Sequence, residues 1–520
     1  MKKIFILIGI ILTSGCATVS SKQQDPTLLK DTHGLVYVKH TGGMLNAHQE
    51  TVLRSRKTGE KFTLYPTEAY AATASRWLPA GEYDVDGMFK DSSPHYTPIK
   101  VEAGRMTDLG GLMFFDLGNY ERTLLPFRHP ELTQQATTFA EQHAAVLVSR
   151  ERIDWQPDRP PPAQATPSGT SGVGLVADVL MNISQHANRP SLNKQLKEAD
   201  SIQKFYELVR IHQIPWSSVG SAENQGVQYF GASLGQIRTR DAAGAWHAID
   251  TGTLSQINAI YAQEKRIVAI AESGEIRTTD EIHQSPWHAI GKLPENLTPF
   301  GIHKLGSEFI IVAGNRHRPD MNVGWNAIHI FSTVSGDFSN LKEIKNIKRS
   351  HFFILPQAYI YNENYFLSME TDIQRYSPRD GVWDTIYPGH RTTQFLLAAE
   401  TGFLTAFEEN GVFSKLSVSS DLGQSWEKIT QPSYPTFEVA FHDKEHGQAI
   451  RANPGAFSSS WELVQFNVNS NRWDTISESP KGLCRRVLSD IRKRNFYCFS
   501  GIGDIFRFSP GELTAESLLK

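Results

Sequence analysis

The sequence predicts a mainly β protein: a seven-bladed β-propeller preceded by a small β-sandwich-like domain and a short helical segment. Three observations support this prediction. Strands of the form Trp-x-x-Ile recur in the C-terminal three-fifths of the chain, at spacings of 41 (246 to 287), 43 (383 to 426) and 47 (426 to 473) residues, which are lengths typical of a four-stranded blade. Short alternating strands fill the N-terminal part, and two stretches between these regions have helical composition. The recurring strands begin at Trp246, Trp287, Trp383, Trp426 and Trp473.

The turn before the fourth tryptophan, residues 419–426 (SSDLGQSW), is the most complete unit of the repeat. Asp421 is placed to accept hydrogen bonds from N–H groups of its own turn, Gly423 permits a positive φ, and Trp426 opens the next strand as an apolar anchor. With Ser419 and Ser425 these residues resemble the Asp-box (BNR) repeat of β-propellers. The resemblance implies that the five residues are structural and lie away from any active site. Partial copies occur at 239–246, 278–287, 377–383 and 467–473.

The interval between Trp287 and Trp383 is twice the blade length, so it must contain one blade without the tryptophan. Residues 327–344 are expected to form part of it, with Phe338 or Leu341 as the substitute anchor. After Trp473, residues 503–508 and 514–518 are expected to be the third and fourth strands of a last blade. The propeller is therefore assigned to residues 215–520, with six and eight blades kept as alternatives.

The N-terminus has the pattern of a secretion signal. Two lysines precede an apolar run that is too short to span a bilayer, and the run ends at Gly15 and Cys16. This resembles a bacterial lipoprotein signal peptide over residues 1–16, which implies that Cys16 carries the acyl (palmitate) anchor; a plain secretory signal and an uncleaved anchor are the alternatives. Because residue 17 is alanine rather than aspartate, the resemblance implies an outer-membrane location facing the periplasm or the cell surface. Residues 17–33 are expected to be a tether.

Residues 34–128 have the alternating strands of a β-sandwich, and the turn 78–83 (LPAGEY) resembles PEGA-like and carboxypeptidase-regulatory-like modules. Residues 129–214 are assigned to helical segments. Helices are expected within 130–148, 174–186 and 192–212, and the proline-rich stretch 155–174 is expected to be an exposed linker.

Two cysteines remain besides Cys16, and in an oxidising compartment Cys484 and Cys498 are expected to form a disulfide in the last blade, with two free thiols as the alternative. No cofactor and no metal are expected, because two cysteines without a nearby histidine cannot complete a zinc site. The formal net charge of -3 gives no general case for nucleic-acid binding.

Several loops that leave the Trp-x-x-Ile strands are basic, and in a propeller such loops emerge on one face. The hypothesis is an anion- or protein-binding face there; ordinary solvated loop charge is the alternative. The polar excursion at 315–322 adds two residues to the candidates. The candidate binding residues are Lys348, Arg349, His390, Arg391, Arg485, Arg486, Arg316 and His317.

The propeller part resembles the YCF48-like and wider BNR-repeat group, which includes assembly factors that hold partner proteins. This resemblance implies a noncatalytic binding platform for a protein of the cell envelope, while the N-terminal half departs from that group. A glycan-binding protein or a glycan-active enzyme is the alternative. The sialidase-type Phe-Arg-Ile-Pro segment is absent, and no catalytic residues are assigned.

Overall fold

The protein was analysed as a computed structural model. The residues that the structure describes are 26–40, 51–66, 73–86, 97–118, 121–157, 164–165, 195–196, 198–211, 213, 221–280, 286–316, 325–334, 336–352, 356–369, 372–389, 392–410, 413–433, 435–454, 459–479, 486–490, 495–499, 504–509 and 512–517. The predicted signal peptide with Cys16 and most of the predicted tether lie outside them. None of the described helices has the length and apolar character needed to cross a membrane.

The N-terminal region is built from two sheets. The strands are β1 (His33–His40), β2 (Val52–Ser55), β3 (Lys61–Thr63), β4 (Tyr65–Pro66), β5 (Thr73–Pro79), β6 (Gly81–Asp86), β7 (Ile99–Val101), β8 (Met106–Gly118), β9 (Glu121–Phe127), β10 (Ile153–Asp154) and β11 (Gln164–Ala165). One sheet has the order β11-β9-β8-β1-β5-β4 with β10 paired to β8, and the other has the order β3-β2-β6-β7. Strands β1 and β8 pair in parallel.

The two sheets share one apolar core, which confirms the predicted β-sandwich-like domain. Val36 and Leu78 of the first sheet pack with Leu53 and Tyr83 of the second. Tyr83 turns back over the tight bend before it, and its hydroxyl donates to the Pro79 carbonyl at 2.6 Å. This hydrogen bond satisfies a phenol that is otherwise buried and fixes the turn between β5 and β6.

The start of the proline-rich stretch is not an exposed linker. Trp155 is 5% exposed and belongs to the sandwich core, where its indole N–H donates to the Thr97 carbonyl at 2.8 Å. Further along, β11 pairs antiparallel with β9. The prediction was wrong at these positions, because the prolines mark breaks in regular structure but do not reveal that the residues around them pack against a sheet.

Three helices are described: α1 (Pro26–Leu29), α2 (Pro130–Gln142) and α3 (Ile202–Ile211). Helix α3 is shorter than the predicted 192–212. Ser201 caps its N-terminus by accepting from the Lys204 N–H at 3.2 Å, and a serine cap of this kind starts a helix at the next residue. Residues 174–186, predicted as a helix, lie outside the described residues.

The C-terminal region contains seven four-stranded antiparallel sheets among the described residues, and each is made of four consecutive strands. This confirms the predicted propeller architecture. Blades 1 to 3 comprise β12 (Ala222–Asn224), β13 (Val227–Gly231), β14 (Gln236–Arg240), β15 (Trp246–Asp250); β16 (Ile257–Gln263), β17 (Arg266–Ala271), β18 (Glu275–Thr279), β19 (His288–Lys292); and β20 (Leu297–Leu305), β21 (Glu308–Arg316), β22 (Trp325–Val334), β23 (Lys342–Phe352).

Blades 4 to 7 comprise β24 (Gln357–Tyr361), β25 (Asn364–Ser368), β26 (Ile373–Ser377), β27 (Val382–Tyr387); β28 (Thr392–Leu397), β29 (Leu404–Glu408), β30 (Lys415–Ser419), β31 (Glu427–Ile429); β32 (Thr436–Phe441), β33 (Gly447–Pro454), β34 (Ser459–Asn467), β35 (Arg472–Glu478); and β36 (Arg486–Asp490), β37 (Asn495–Phe499), β38 (Asp504–Ser509), β39 (Glu512–Ser517).

The antiparallel order gives the propeller two distinct faces. Connections between the first and second and between the third and fourth strands of a blade lie on one face, which we call the Asp421 face because the turn of Asp421 joins β30 to β31. Connections between the second and third strands, and between successive blades, lie on the opposite face. We call this the sandwich face, because the N-terminal domain packs against it.

The recurring anchor at each outer strand joins its blade to the preceding one. The Trp426 indole N–H donates to the Ile386 carbonyl at 2.8 Å, and Trp473 donates to the Thr430 carbonyl at 2.7 Å. The Trp383 ring lies 4.3 Å below the ammonium of Lys345, which belongs to β23 of the blade before it. The remaining anchors follow the same rule: Trp287 shares a cluster with Ile249 of blade 1, and Phe338, 1% exposed, packs with Ile290 of blade 2.

The ring closes through side chains between blades 7 and 1. Trp246 of blade 1 donates to the Glu516 carboxylate of β39 at 2.6 Å, and Arg240 donates to the same carboxylate at 2.7 and 3.0 Å. Beside them, Phe230 and Trp246 pack with Tyr497 of β37. Among the described residues, each of the two sheets consists of its own four consecutive strands, so side chains rather than an exchanged strand join them there.

Candidate functional site

The N-terminal domain is fixed to the sandwich face at blades 1 and 2. Phe127 of the sandwich stacks on Tyr206 of α3 at 4.6 Å, and both share a core with Leu234 and Leu254 from propeller connections. The carboxylate of Glu131 in α2 accepts from the Leu254 N–H at 2.8 Å. These contacts cover part of the sandwich face, and none of the contacts named here, which all come from the described residues, involves the connections of blades 4 to 6.

A buried arginine completes this interface. Arg238 of β14 is fully buried, and its guanidinium donates to the carbonyls of Ile211 and Gln213 at 2.7 Å each and of Arg210 at 3.0 Å. These carbonyls end helix α3, so a cation meets the negative end of the helix dipole. Burial lowers the pKa of Arg238 to about 9 and the Arg210 charge adds to this; the group is still protonated at neutral pH.

Four of the candidate basic residues lie in strands near the sandwich face. Lys348 is exposed and its backbone lies in the long outer strand β23, paired with Ala327, rather than in a loop as predicted. Arg349 also belongs to β23, while Arg316 ends β21 and Arg486 begins β36. The side chains of these three residues, and the residues His317, His390, Arg391 and Arg485, lie outside the described part of the structure.

Two exposed phenylalanines lie on the same sandwich face. Phe413, in the connection between β29 and β30, is 76% exposed, and Phe437, at the start of β32, is 43% exposed. The Phe437 ring packs edge-on against Trp461 at 5.5 Å, so the exposed surface continues into a partly buried indole. We call Phe413 of blade 5 and Phe437 and Trp461 of blade 6 the aromatic patch, because the two blades are neighbours and all three residues lie at the sandwich-face ends of their elements. The sequence does not reveal them, because an isolated aromatic residue near a turn has no pattern that distinguishes it from a core residue.

A cavity of about 420 Å³ lies along the propeller axis. The first strands of six blades contribute to its wall, and it reaches the connections at Ala399 and His442 on the Asp421 face. Its lining combines apolar side chains such as Phe300 with the carboxylates of Glu223 and Glu438. A volume of this size falls within the range of roughly 300–1,000 Å³ found for small-ligand sites.

The first strands of neighbouring blades are joined by amide side chains at equivalent positions. Gln357 of blade 4 accepts from the Phe395 N–H at 2.6 Å, and Gln394 of blade 5 accepts from the Val439 N–H at 3.0 Å. Glu438 occupies the corresponding position in blade 6, one residue before Val439. The Glu438 carboxylate therefore lies at the position from which Gln357 and Gln394 each accept a hydrogen bond from the next blade.

Three rings occupy one level of the cavity wall. Tyr261, His303 and Tyr359 come from the first strands of blades 2, 3 and 4, and each lines the cavity. Edge-to-face contacts hold the rings in place: Tyr261 meets Phe309 at 5.0 Å, and Tyr359 meets Phe395 at 5.5 Å. Burial raises the pKa of Tyr261, so its hydroxyl is protonated at neutral pH.

His303 is the most distinctive group of this wall. Its ring packs against Tyr365 at 5.5 Å, and burial lowers its pKa to about 4, so the imidazole is neutral at pH 7. The residue is partly exposed and belongs to the cavity lining. A Cβ on Gly301 would lie 2.9 Å from His303 Nε2, so the glycine leaves this nitrogen uncovered. The Tyr365 hydroxyl behind it is fully buried and has no hydrogen-bond partner in the described part of the chain.

The turn at residues 419–426 has dense internal hydrogen bonding. Asp421 Oδ1 accepts from the Ser425 N–H at 2.9 Å and from the Ser419 hydroxyl at 2.8 Å, while Oδ2 accepts from the Ser425 hydroxyl. These hydrogen bonds, those of Ser425 first, lower the pKa of Asp421 to about 2. Gly423 has φ +87°, and a Cβ there would lie 2.8 Å from Ile386 of the preceding blade. The contacts are all internal to the protein, as a structural role requires.

Asp241 in blade 1 makes the same principal contact, since its Oδ1 accepts from the Ala245 N–H at 2.8 Å. Cys498 is fully buried in β37, and its predicted disulfide partner Cys484 lies outside the described residues, so that disulfide stays a prediction. Over the described ranges, no group of three or more His, Cys, Asp or Glu side chains is arranged to hold a metal ion.

Comparisons with known proteins give structural neighbours only. No protein-family model matches the chain, and no curated protein matches it. Among solved structures, YCF48 bound to a D1 peptide is 13% identical, covers 57% of this chain and 96% of its own, and has a TM-score of 0.39. YCF48 from Cyanidioschyzon merolae is 13% identical over 59% and 98%, with a TM-score of 0.36. The computationally designed Ika8 protein is 10% identical over 57% and 86%, with a TM-score of 0.38.

Proposed function

We propose that this protein is a lipid-anchored cell-envelope protein whose propeller is a noncatalytic protein-binding or assembly platform. The observation that carries the proposal is the aromatic patch, which leaves Phe413 76% exposed and Phe437 43% exposed on the sandwich face. Exposed aromatic side chains next to a partly buried indole are typical of the centres of protein–protein interfaces. The N-terminal sandwich already uses blades 1 and 2 of that face, which leaves blades 4 to 6 for a partner.

The basic residues of the sequence analysis support the same face. Lys348 is exposed there, and Arg349 and Arg486 belong to strands whose ends lie at that face. A partner with an apolar centre and an acidic rim would match an aromatic patch surrounded by positive charge. Charges at the rim are expected to affect mainly the association rate and its salt dependence, while the phenylalanines contribute more to the dissociation rate.

The test compares two pairs of substitutions that remove exposed apolar side chains from opposite faces. Phe413→Ser with Phe437→Ser changes the sandwich face, and Val334→Ser with Val382→Ser changes the Asp421 face, where these valines are 57% and 48% exposed. Tagged proteins are used to capture partners from the envelope of the organism that encodes this chain, after each is shown to fold.

A specific partner should be recovered by the wild type and by the valine variant and should be reduced about tenfold or more by the phenylalanine variant. A third variant, in which Arg349, Arg391 and Arg486 are changed to glutamate, should recover much less of the partner at low salt. Equal recovery by all four proteins would refute the proposed face.

The anchor is part of this proposal and is supported by the sequence of residues 1–16. Metabolic labelling with a palmitate analogue should mark the wild type and not the Cys16→Ser variant, which should appear in the soluble periplasmic fraction. If the wild type and the Cys16→Ser variant are both unlabelled and both stay with the membrane, an uncleaved anchor replaces the lipoprotein hypothesis.

A glycan-active enzyme is the second candidate, because Glu223 and Glu438 both line the axial cavity. Glycosidases need two carboxylates that flank one bond. Glu438, however, stands at the position where Gln357 and Gln394 join neighbouring blades, which favours a structural role. Glycan hydrolysis that is abolished by Glu223→Gln and by Glu438→Gln, in folded proteins, would restore the enzyme hypothesis.

A further inference from the structure

The wall of the axial cavity differs between its two sides. Blades 2, 3 and 4 present the rings of Tyr261, His303 and Tyr359, whereas the equivalent positions of blades 5 and 6 hold Leu396 and Ala440. The cavity therefore has an aromatic side with polar edges and an aliphatic side. A ligand that fills it needs a flat apolar surface and a polar perimeter.

The hydrogen-bonding groups of this wall are neutral and can serve both as donors and as acceptors. A neutral imidazole has one N–H and one unprotonated nitrogen, and a phenol can donate and accept. Neither ring nitrogen of His303 bonds to a described residue, and Gly301 leaves Nε2 open toward the cavity. Gln228 adds an amide to the same lining. Hydroxyl groups have the same dual character, so a polyhydroxylated ligand matches this wall.

The charges around the cavity disfavour an anion. The carboxylates of Glu223 and Glu438 are both part of the lining, and the imidazole of His303 supplies no positive charge at pH 7. Lys304 is exposed at the mouth, where its ammonium donates to Gln263 at 3.1 Å. A carboxylated sugar would meet repulsion that a neutral sugar does not.

We propose that the axial cavity binds the end of a neutral saccharide, with the apolar face of a pyranose against Tyr261 and Tyr359 and a hydroxyl on His303. The lining reaches the connections at Ala399 and His442 on the Asp421 face, and neither Phe413 nor Phe437 belongs to it. The inference does not depend on the proposed protein partner.

The test measures binding by saturation-transfer NMR and by titration calorimetry on the full soluble chain. The probes are glucose, galactose, mannose, N-acetylglucosamine, cellobiose and chitobiose, together with the anionic N-acetylneuraminic acid and the cationic glucosamine. His303→Phe keeps a ring of similar shape and removes the two nitrogens. His329→Phe is the matched control, because His329 lies in β22 of the same blade and is not part of the cavity lining.

At least one neutral sugar should bind saturably, and His303→Phe should weaken it about tenfold, as loss of one hydrogen bond predicts. The His329→Phe variant and the Phe413→Ser, Phe437→Ser variant should bind it like the wild type. Absence of saturable binding by every neutral probe would overturn the proposal. Preference for the anionic or the cationic sugar, or equal binding by the His303 and His329 variants, would overturn it as well.

Discussion

One carboxylate links the last blade of the propeller ring to the first. Glu516 accepts hydrogen bonds from Trp246 and Arg240 of blade 1 and from Arg507 of its own blade, at 2.6 to 3.1 Å. The side chains of Glu516 and Arg240 are only 8% and 14% exposed. Because the described strands of the two blades are not exchanged, replacement of Glu516 should weaken this joint before any other.

The expected magnitude follows from the groups that would remain. In Glu516→Ala two largely buried guanidinium groups and one indole N–H lose their acceptor. Removal of one partner of a buried pair costs about 3–5 kcal/mol, and the partial exposure of Arg240 and Arg507 places this case near 3 kcal/mol. Glu516→Gln keeps an acceptor but loses the charge, so about 1–2 kcal/mol is expected.

The assay is hydrogen exchange combined with urea unfolding of the full chain. In Glu516→Ala, amides of β37 to β39 and of β13 to β15 should exchange faster, while those of blades 3 and 4 should keep their protection. The control is Glu427→Ala, which removes a glutamate from an outer strand whose ion pair with Lys444 has side chains 57% and 65% exposed. An exposed pair contributes about 0–1 kcal/mol.

A further check is a double-mutant cycle with Arg240→Ala. The two changes should cost less together than the sum of the single changes, because either change alone already removes the hydrogen bonds between Arg240 and Glu516. If Glu516→Ala behaves like Glu427→Ala in exchange and in unfolding, the carboxylate does not close the ring and the reasoning is refuted.

The same joint should be sensitive to acid. Burial raises the pKa of Glu516, but the hydrogen bonds from Arg240 and Trp246 and the charges of Arg240 and Arg507 outweigh it, so the folded-state pKa lies below 4.5, the ordinary value for a glutamate. A lowered carboxylate pKa stabilises the fold above the unfolded-state value and loses this effect as the pH falls through the folded-state value. The difference in stability between wild type and Glu516→Gln should therefore shrink below about pH 4.5.

Three further predictions concern other parts of the chain. Arg238→Met should cost about 3 kcal/mol, because the carbonyls that end α3 lose their donors, and it should increase exchange in α3; Arg277→Met in the next blade is the matched control and should leave α3 protected. Asp421→Ala should destabilise the turn by about 1 kcal/mol at pH 7 in urea unfolding, and this difference should vanish as the pH falls from about 4 through about 2. Peptide mapping without reductant should recover Cys484 linked to Cys498, and reduction should lower stability by about 2–4 kcal/mol; two unlinked peptides would contradict the disulfide.

The sequence was most informative where the repeat itself sets the structure. Tryptophan spacing predicted the blades, and the doubled interval predicted a blade that lacks the anchoring tryptophan of the outer strand. The structure identifies Phe338, 1% exposed, as its main anchor, with Leu341 only partly buried beside it. Spacing alone could not separate these two residues, because both are apolar and three positions apart.

Nearly identical local sequences have different surroundings in the structure. The strands with Gln236-Ile237-Arg238-Thr239 and Glu275-Ile276-Arg277-Thr278 are close copies. Arg238 is fully buried under the end of α3, whereas Arg277 pairs with Glu275 at 2.9 Å. Helix α3 packs on blade 1, so the role of Arg238 is set by tertiary contacts that neither copy encodes locally.

The rings of the cavity illustrate a second limit. Tyr261 and His303 reach equivalent positions partly because β16 and β20 each contain a register shift, after Ile257 and after Pro299. A bulge adds one residue to a strand and changes which side chains share a level. Without the positions of these bulges, the sequence does not align the rings, and they were not among the predicted site residues.

Because each blade is one continuous segment of chain, the propeller can gain or lose whole blades by insertion or deletion of one segment. An in-frame duplication of some forty residues would add four strands, an outer-strand anchor and the contact that this anchor makes with the preceding blade. The insertion would not require a new strand pairing between the first and last blades, since none of the described strands crosses the joint at Glu516. Related sequences with six or eight blades should therefore be reachable in one genetic step, provided that the new neighbour of blade 1 keeps an acidic side chain opposite Trp246 and Arg240.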